Sequence, residues 1–365
     1  MSTPPLSPPR AWAEINLNAL KHNLNVAKER SGQQVMAVLK AGAYGHDIKR
    51  IGEALDDCDL AFFGVASVLE ARKLTTVGCR TRIYLLGPTT AVERAEIIAH
   101  RWTPSISSIA EAEHFDQLNQ SSAPLPVHVT VDTGMGRGGF LPEQLGDGIE
   151  KIKSLSNLVI EGIGSHLPSA DEDHAFTLHQ FKIFAEAVEN TGHTFDFVHL
   201  SNSAGILDYS SQITNLVRPG LMLYGISPIA KYQNKLQPVL SLKTRISIIR
   251  DLPKGHGISY GRSTLLERDS RVATIGIGYG DGYPRPISHQ GAEVWIRGTR
   301  CPILGRVTMD QIMVDVTDLP SAGDGDEVEL FGNHIHHDNP RTQHLGQQQR
   351  GQPDPAGAMN GHPFP

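Results

Sequence analysis

The chain has 365 residues, 39% hydrophobic and 20% charged, which is room for a large core and, by length, for two domains or a large domain with a smaller one. Its 33 Lys and Arg against 39 Asp and Glu leave a formal charge of −6 with no basic concentration, which argues against a nucleic-acid partner. Cys58, Cys79 and Cys301 lack short metal-ligand spacing, and no apolar leader or long apolar run is present, so the reading is a cytoplasmic protein with no metal and no membrane partner. Residues 1–11 are rich in Pro and Ser and read as a flexible N-terminus. Residues 12–17 alternate like a strand, and Asn18 is then expected to cap a helix with Leu20, Leu24 and Ala27 on one face.

Eight short apolar runs follow, at 35–39, 61–66, 82–86, 103–106, 127–131, 159–164, 197–200 and 216–224. Helical spacing fills the gaps, as at 47–55, 68–74, 91–99 and 175–189. Eight strand–helix alternations predict a TIM-type (β/α)8 barrel over residues 12–234. A doubly wound open sheet has the same periodicity and stays open as the rival. After Asn234 the rhythm changes to strands separated by Gly, Pro and Asp turns, at 239–249, 271–277, 292–297, 302–307, 312–316 and 327–331. This predicts an all-β domain over 235–332. Residues 333–365 contain five Gln, five Pro, five His and four Gly without periodicity, and read as a disordered tail whose irregularly spaced histidines fit a solvated tail better than a weak metal site.

Lys40 follows the first run, which puts it at the C-terminal mouth of the first barrel strand, where barrel enzymes keep their active sites. A lysine there can form a Schiff base with an aldehyde cofactor, although alone it is also a solvated charge. Ser203 and Gly220 with Leu221 fall at the seventh and eighth runs, whose loops often bind phosphate in barrels. The motif Asn202-Ser203-Ala204-Gly205 reads equally as a helix cap, and His166 as a satisfied core histidine.

Val38-Leu39-Lys40-Ala41-Gly42-Ala43-Tyr44-Gly45-His46 resembles the cofactor-lysine motif of alanine racemases. The resemblance runs on through Asp132-Thr133-Gly134-Met135-Gly136-Arg137, Asn202-Ser203-Ala204-Gly205, Val217-Arg218-Pro219-Gly220, Ser259-Tyr260-Gly261, Gly278-Tyr279-Gly280-Asp281-Gly282-Tyr283 and Gly305-Arg306-Val307-Thr308-Met309-Asp310. Seven motifs in family order span residues 12–331. The family usually has Asn at Gly42 and Gly at Asp47. It implies a barrel followed by a β domain, in a homodimer that shares its active sites between subunits.

The resemblance further implies that pyridoxal 5'-phosphate is carried on Lys40, with its phosphate gripped by Tyr44, Ser203, Gly220 and Leu221. It sets Arg218 against the pyridine nitrogen. Arginine only donates and stays charged, so the ring is a weaker electron sink, which suits racemisation over decarboxylation. Lys40 and Tyr260 are implied as opposed proton-transfer groups, Tyr260 arriving from the neighbouring subunit. Tyrosine side chains titrate near about 10 and are poor bases at neutral pH without cationic neighbours, which the family's His166–Arg218 chain would provide. Arg137 is implied as a ligand of the substrate carboxylate or of the cofactor's phenolic oxygen, Met309 as a backbone N–H donor to the carboxylate, Tyr279 as a pocket wall and Asp310 as a support for Tyr260. The function so implied is alanine racemisation, supplying D-alanine for peptidoglycan.

Two departures bear on this reading. Where many members carry a carbamylated lysine, this chain has Thr130, so Arg137 is expected to be held by something neutral or by an anion. The family's closing segment, with a Tyr-Glu motif and further strands, has no counterpart after Phe331, which suggests an exposed sheet edge. Two other functions therefore stand beside racemisation: a decarboxylase on a related barrel, which the Ser259-Tyr260-Gly261 motif opposes, and a cofactor-binding protein with impaired activity.

Overall fold

A computed structural model describes residues 8–332 and 334; the expectations for the extreme N-terminus and for the rest of the tail lie outside the described residues. Eight parallel strands close into a barrel in chain order: Gln34–Val38, Phe62–Val65, Ile83–Leu85, Thr103–Ile106, Leu125–Thr130, Leu158–Gly164, Phe197–His199 and Leu216–Val217. The first strand pairs with the second through Met36↔Phe62 and with the last through Val35↔Val217, so the open sheet is excluded. Phe62–Val65, Ile83–Leu85 and Thr103–Ile106 are buried throughout, because helices cover one face and the barrel interior the other. Met36, Phe62, Tyr84 and Leu216 pack together in one core cluster.

The eighth strand is shorter than the apolar run at 216–224 suggests. Pro219 cannot donate to a ladder, and the chain turns at Gly220 into a 3-10 segment, Leu221–Tyr224. The first helix, Leu17–Ser31, begins before Asn18, so Asn18 lies within it and is not its cap; Leu20, Leu24 and Ala27 are buried as expected.

The described residues before Leu17 and after Gln237 form a second compact unit. Strand Ala11–Ile15, which the sequence reading put with the barrel at 12–234, pairs antiparallel with Leu240–Leu252 and belongs here. The reason is backbone demand: a 13-residue strand exposes a row of N–H and C=O groups that a short extended segment can satisfy. The strand order is Ala11–Ile15, Leu240–Leu252, Ser270–Ile275, Ile312–Asp315, Thr299–Leu304, Glu293–Ile296 and Glu327–Phe331. Glu327–Phe331 also pairs with Leu240–Leu252, so Glu329 sits opposite both Trp295 and Lys243. Among the described residues, the strand ending at Phe331 is therefore bonded on both sides and leaves no exposed edge there. Ile246, Ile275, Val294, Ile296, Val314 and Val328 fill the interior of this sheet.

Candidate active site

Lys40, Arg137, His166, Ser203, Arg218 and Gly220 all follow the C-terminal ends of barrel strands, on one mouth of the barrel. Lys40 is half-buried. Burial, and then the charges of Arg137 and Arg218, lower its ammonium pKa from the usual lysine value, while Glu70 acts in the opposite sense. More of the amine is therefore neutral, and reactive, than on an exposed lysine.

The residues after Lys40 form a left-handed turn. Ala41, Gly42, Ala43 and Tyr44 have φ of 52, 63, 58 and 54°. For residues with a Cβ this costs roughly 1–2 kcal/mol each, so the surroundings must impose it. Leu39 O accepts from Ala43 N at 2.8 Å, and the Glu70 carboxylate accepts from Gly42 N at 3.0 Å and Ala66 N at 2.9 Å. Glu70 is itself fixed in the first turn of a helix capped by Ser67. The two departures in this motif follow from the geometry. Gly42 and the family's Asn both tolerate positive φ. Asp47, at φ 66°, also belongs to the tolerant set, and its side chain caps the helix Ile48–Leu55.

Glu70→Ala should therefore loosen this turn. Two N–H groups lose their acceptor, a loss of about 1–3 kcal/mol, and amide exchange at Gly42 and Ala66 should accelerate ahead of the rest of the barrel. Unchanged protection at Gly42 would count against the clamp.

Arg218 is 5% exposed and remains cationic, although burial draws its pKa down to about 10. Nη2 donates to Ser165 O at 2.6 Å and Leu200 O at 3.1 Å and lies 3.3 Å from His166 Nδ1; Nη1 lies 2.5 Å from His199 Nδ1. These contacts leave Nε–H without an acceptor among the described residues. His166 is pushed down to about 3 by burial, then by Arg218, Arg137 and Lys40, so it is neutral near pH 7 and the cation of the His166–Arg218 pair is the arginine. A histidine neutral in the fold but charged in the unfolded chain makes the unfolded state bind more protons. Stability should then rise with pH between about 3 and 6.5, and be lost as pH falls through that window. Urea unfolding of His166→Asn beside the parent should give the shallower pH slope; equal slopes would reject this origin.

At the other end of the site, Ser203 Oγ accepts from Gly220 N at 3.0 Å and Met222 N at 3.2 Å, which leaves its own O–H free to donate. Gly220 N–H is thus occupied, while Leu221 N–H has no acceptor among the described residues. A Cβ on Gly220 would lie 2.5 Å from the Tyr44 hydroxyl, so only glycine lets that hydroxyl approach. Burial pushes Tyr44 up to about 12, which keeps it a donor, and its ring packs 4.8 Å from that of Tyr224.

Arg137 lies on the loop after Leu125–Thr130, shaped by Asp132 Oδ1 accepting from Gly134 N and Gly136 N. It shares a solvent-open cleft of about 330 Å³ with His166, Thr130, Ser105, Ser107 and Met135. No carboxylate pairs with it among the described residues, and Thr130 makes no hydrogen bond to it. Among the described residues no His, Cys, Asp and Glu cluster could hold a metal, and no helix is long and apolar enough to cross a membrane.

The remaining expected residues lie on the second unit. Tyr260 is 59% exposed at a turn whose neighbours Ser259, Gly261 and Arg262 all have positive φ. The loops carrying Tyr279 and Met309 are bound together: Tyr279 N donates to Thr308 O at 3.0 Å and Gly280 N to Met309 O at 2.8 Å. Tyr279 is 37% and Met309 51% exposed. Asp310 is exposed and makes no hydrogen bond to Tyr260.

Sequence reasoning missed Glu70, His128 and His199. The first is signalled by the Ser-x-x-Glu spacing of a capping box. The others stand out as polar residues within apolar strand runs.

The closed barrel gathers a half-buried amine, two arginines and neutral hydroxyl donors at one mouth, where barrel enzymes keep their active sites. Comparison with known proteins narrows the class. Residues 15–228 match the family model for the alanine racemase N-terminal domain and residues 239–350 that for the C-terminal domain. The alanine racemase of Halothermothrix orenii is 39% identical over 330 residues, 88% of this chain and 87% of that protein. That of Methanococcus maripaludis is 36% identical over 332 residues, 88% of each. Among solved structures, alanine racemase of Clostridium difficile 630 superposes with a TM-score of 0.86 at 31% identity, covering 93% of this chain and 92% of that one. The structure from Bartonella henselae, with covalently bound pyridoxal phosphate, gives 0.82 at 31% identity over 90% and 92%. The chain belongs to the alanine racemase family. Because it matches the family's C-terminal domain as well, the reading of an impaired cofactor-binding protein is not favoured.

Proposed function

We propose that this chain interconverts L-alanine and D-alanine with pyridoxal 5'-phosphate held on Lys40, as a cytoplasmic homodimer supplying D-alanine for peptidoglycan. The observation that carries this is the half-buried amine of Lys40, lowered in pKa beside Arg137 and Arg218. The residues present suit the cofactor. Tyr44, Ser203 and Leu221 N–H offer uncommitted donors for a phosphate around a glycine, and Arg218 keeps Nε–H free for a ring nitrogen. When bound, the cofactor supplies an electron sink that acidifies the substrate Cα–H.

The chain's own groups do the rest. Lys40 moves a proton on one face of Cα, and Tyr260 of the partner subunit on the other. Arg218 cannot give up its proton at neutral pH, which keeps the sink weak and disfavours decarboxylation. Arg137 orients the substrate carboxylate or the cofactor's phenolic oxygen, the Met309 N–H meets the carboxylate, and Asp310 supports Tyr260. Tyr279 narrows the pocket toward small side chains, though a methylene is worth only about 1–3 kcal/mol.

The test is incubation of the purified protein with L-alanine and the cofactor, following D-alanine. Accumulation of D-alanine is expected; carbon dioxide and an amine in its place would reject the proposal in favour of a decarboxylase. Within the same assay, Gly220→Ala should weaken cofactor binding by about 1.5–3 kcal/mol, the worth of a hydrogen bond to a charged group, because the new methyl displaces the Tyr44 hydroxyl. Fluorescence titration with cofactor checks this, and parental affinity would be the contrary result.

A further inference from the structure

From Arg218 a line of side chains runs through two buried histidines to the partly buried Glu161, and no step above uses it. His199 Nδ1 faces Arg218 Nη1; His199 Nε2 lies 2.9 Å from His128 Nδ1; His128 Nε2 lies 3.7 Å from Glu161 Oε2. Arg82 fixes that carboxylate through two bonds of 2.7 and 2.6 Å. His128 is 0% and His199 3% exposed.

The polarity of this line follows by elimination. A guanidinium only donates, so His199 Nδ1 is an acceptor and the ring's proton sits on Nε2. That proton is donated to His128 Nδ1, which puts the His128 proton on Nε2, facing Glu161. Either ring in its doubly protonated form would set two donors head to head, so both are neutral. Burial, which lowers the pKa of each, acts the same way.

The barrel is shaped around these rings. Strand Leu158–Gly164 has glycines where they lie: a Cβ on Gly162 would be 2.7 Å from the His128 ring, and one on Gly164 would be 2.1 Å from His199. Phe62, Tyr84 and Phe197 pack against His128, and Tyr84 also against His199. The last link, at 3.7 Å, is longer than a hydrogen bond, so it acts through charge. The Arg82–Glu161 pair presents its negative end to His128.

We propose that His199, His128 and Glu161 are positioning residues that fix the orientation of Arg218 and pass the carboxylate's field toward its guanidinium, setting how strongly it donates in the cofactor cradle. This rests on the reading of Arg218 as the cofactor ring's partner.

The first test needs no cofactor. In protein labelled with 15N at histidine, both rings should resonate as Nε2–H tautomers, and a protonated Nδ1 on either overturns the relay. The second uses the holoenzyme. Glu161→Gln keeps size and removes charge, whereas His128→Phe keeps ring packing and removes both nitrogens. Each should lower kcat by about 2- to 30-fold, the range of long-range coupling through a packed network, with KM for alanine little changed. Each should also move the pH titration of the bound cofactor's absorbance, which a purely structural role would leave alone. If both variants keep the parental kcat and absorbance titration, even with a lower melting temperature, the relay is a packing feature and the proposal fails. Should His128→Phe not fold, Glu161→Gln and the tautomers decide. A parent that neither holds the cofactor nor racemises alanine sinks the proposed function instead, while the tautomers still report on the relay.

Discussion

Lys40→Ala is expected to abolish measurable racemisation, a fall of at least about 10²–10⁴-fold if only its acid–base role is counted, and more because the cofactor loses its anchor. The loss should not be a folding failure. Lys40 makes no side-chain hydrogen bond or ion pair among the described residues, and its charge is partly desolvated between two cations, so its removal relieves repulsion at the mouth. The variant should therefore melt at or above the parental temperature without cofactor. In the parent, borohydride reduction of the cofactor-loaded protein should fix the label on Lys40, and peptide mapping identifies it. The pH dependence has a definite sign. A lowered lysine pKa means the neutral amine persists to lower pH, so trace acylation should modify Lys40 at pH values where exposed lysines are still protected as ammonium. A label on another lysine, or a Lys40 that acylates no earlier than the bulk, would remove the central assignment.

Much of this site was legible in the sequence because barrel strands place chemistry at one end. A lysine, a histidine and a serine that each follow a different apolar run, and an arginine inside the last run, had to meet at one mouth once the runs closed into a barrel. Closure itself was not legible, since pairing between Gln34–Val38 and Leu216–Val217 leaves no local signal. The left-handed turn was equally hidden. Ala41, Ala43 and Tyr44 do not prefer positive φ, and the conformation is imposed from elsewhere by Glu70, 30 residues beyond Lys40 in sequence terms. Residues 12–17 alternate like a strand, but the partner of strand Ala11–Ile15 lies more than 200 residues away, so its unit has no local signal. His128 and His199 show the limit from the other side. A sequence displays two polar residues in apolar runs; only packing shows that glycines on the strand between them leave room for their rings.

The second large effect concerns Tyr260. If it and Lys40 serve opposite faces of Cα, Tyr260→Phe removes one proton-transfer group and leaves the other. Exchange of the Cα proton with solvent deuterium should then slow by about 10²–10⁴-fold for one enantiomer and far less for the other. Tyr260 is suited to be lost without structural cost, being 59% exposed on a turn that Ser259 holds through a 2.6 Å bond from its hydroxyl to Arg306 O. Phenylalanine keeps the ring and should keep the fold, so melting should match the parent. The same exposure fits a side chain that completes another subunit's site. Parental activity per chain should accordingly fall on dilution through the dimer dissociation range, tracked by sedimentation, and mixing Tyr260→Phe with Lys40→Ala should restore activity. A heterodimer of the two has one site lacking both groups and one site lacking neither. Equal slowing of both enantiomers, or no restoration on mixing subunits that demonstrably exchange, would reject the two-base, shared-site reading.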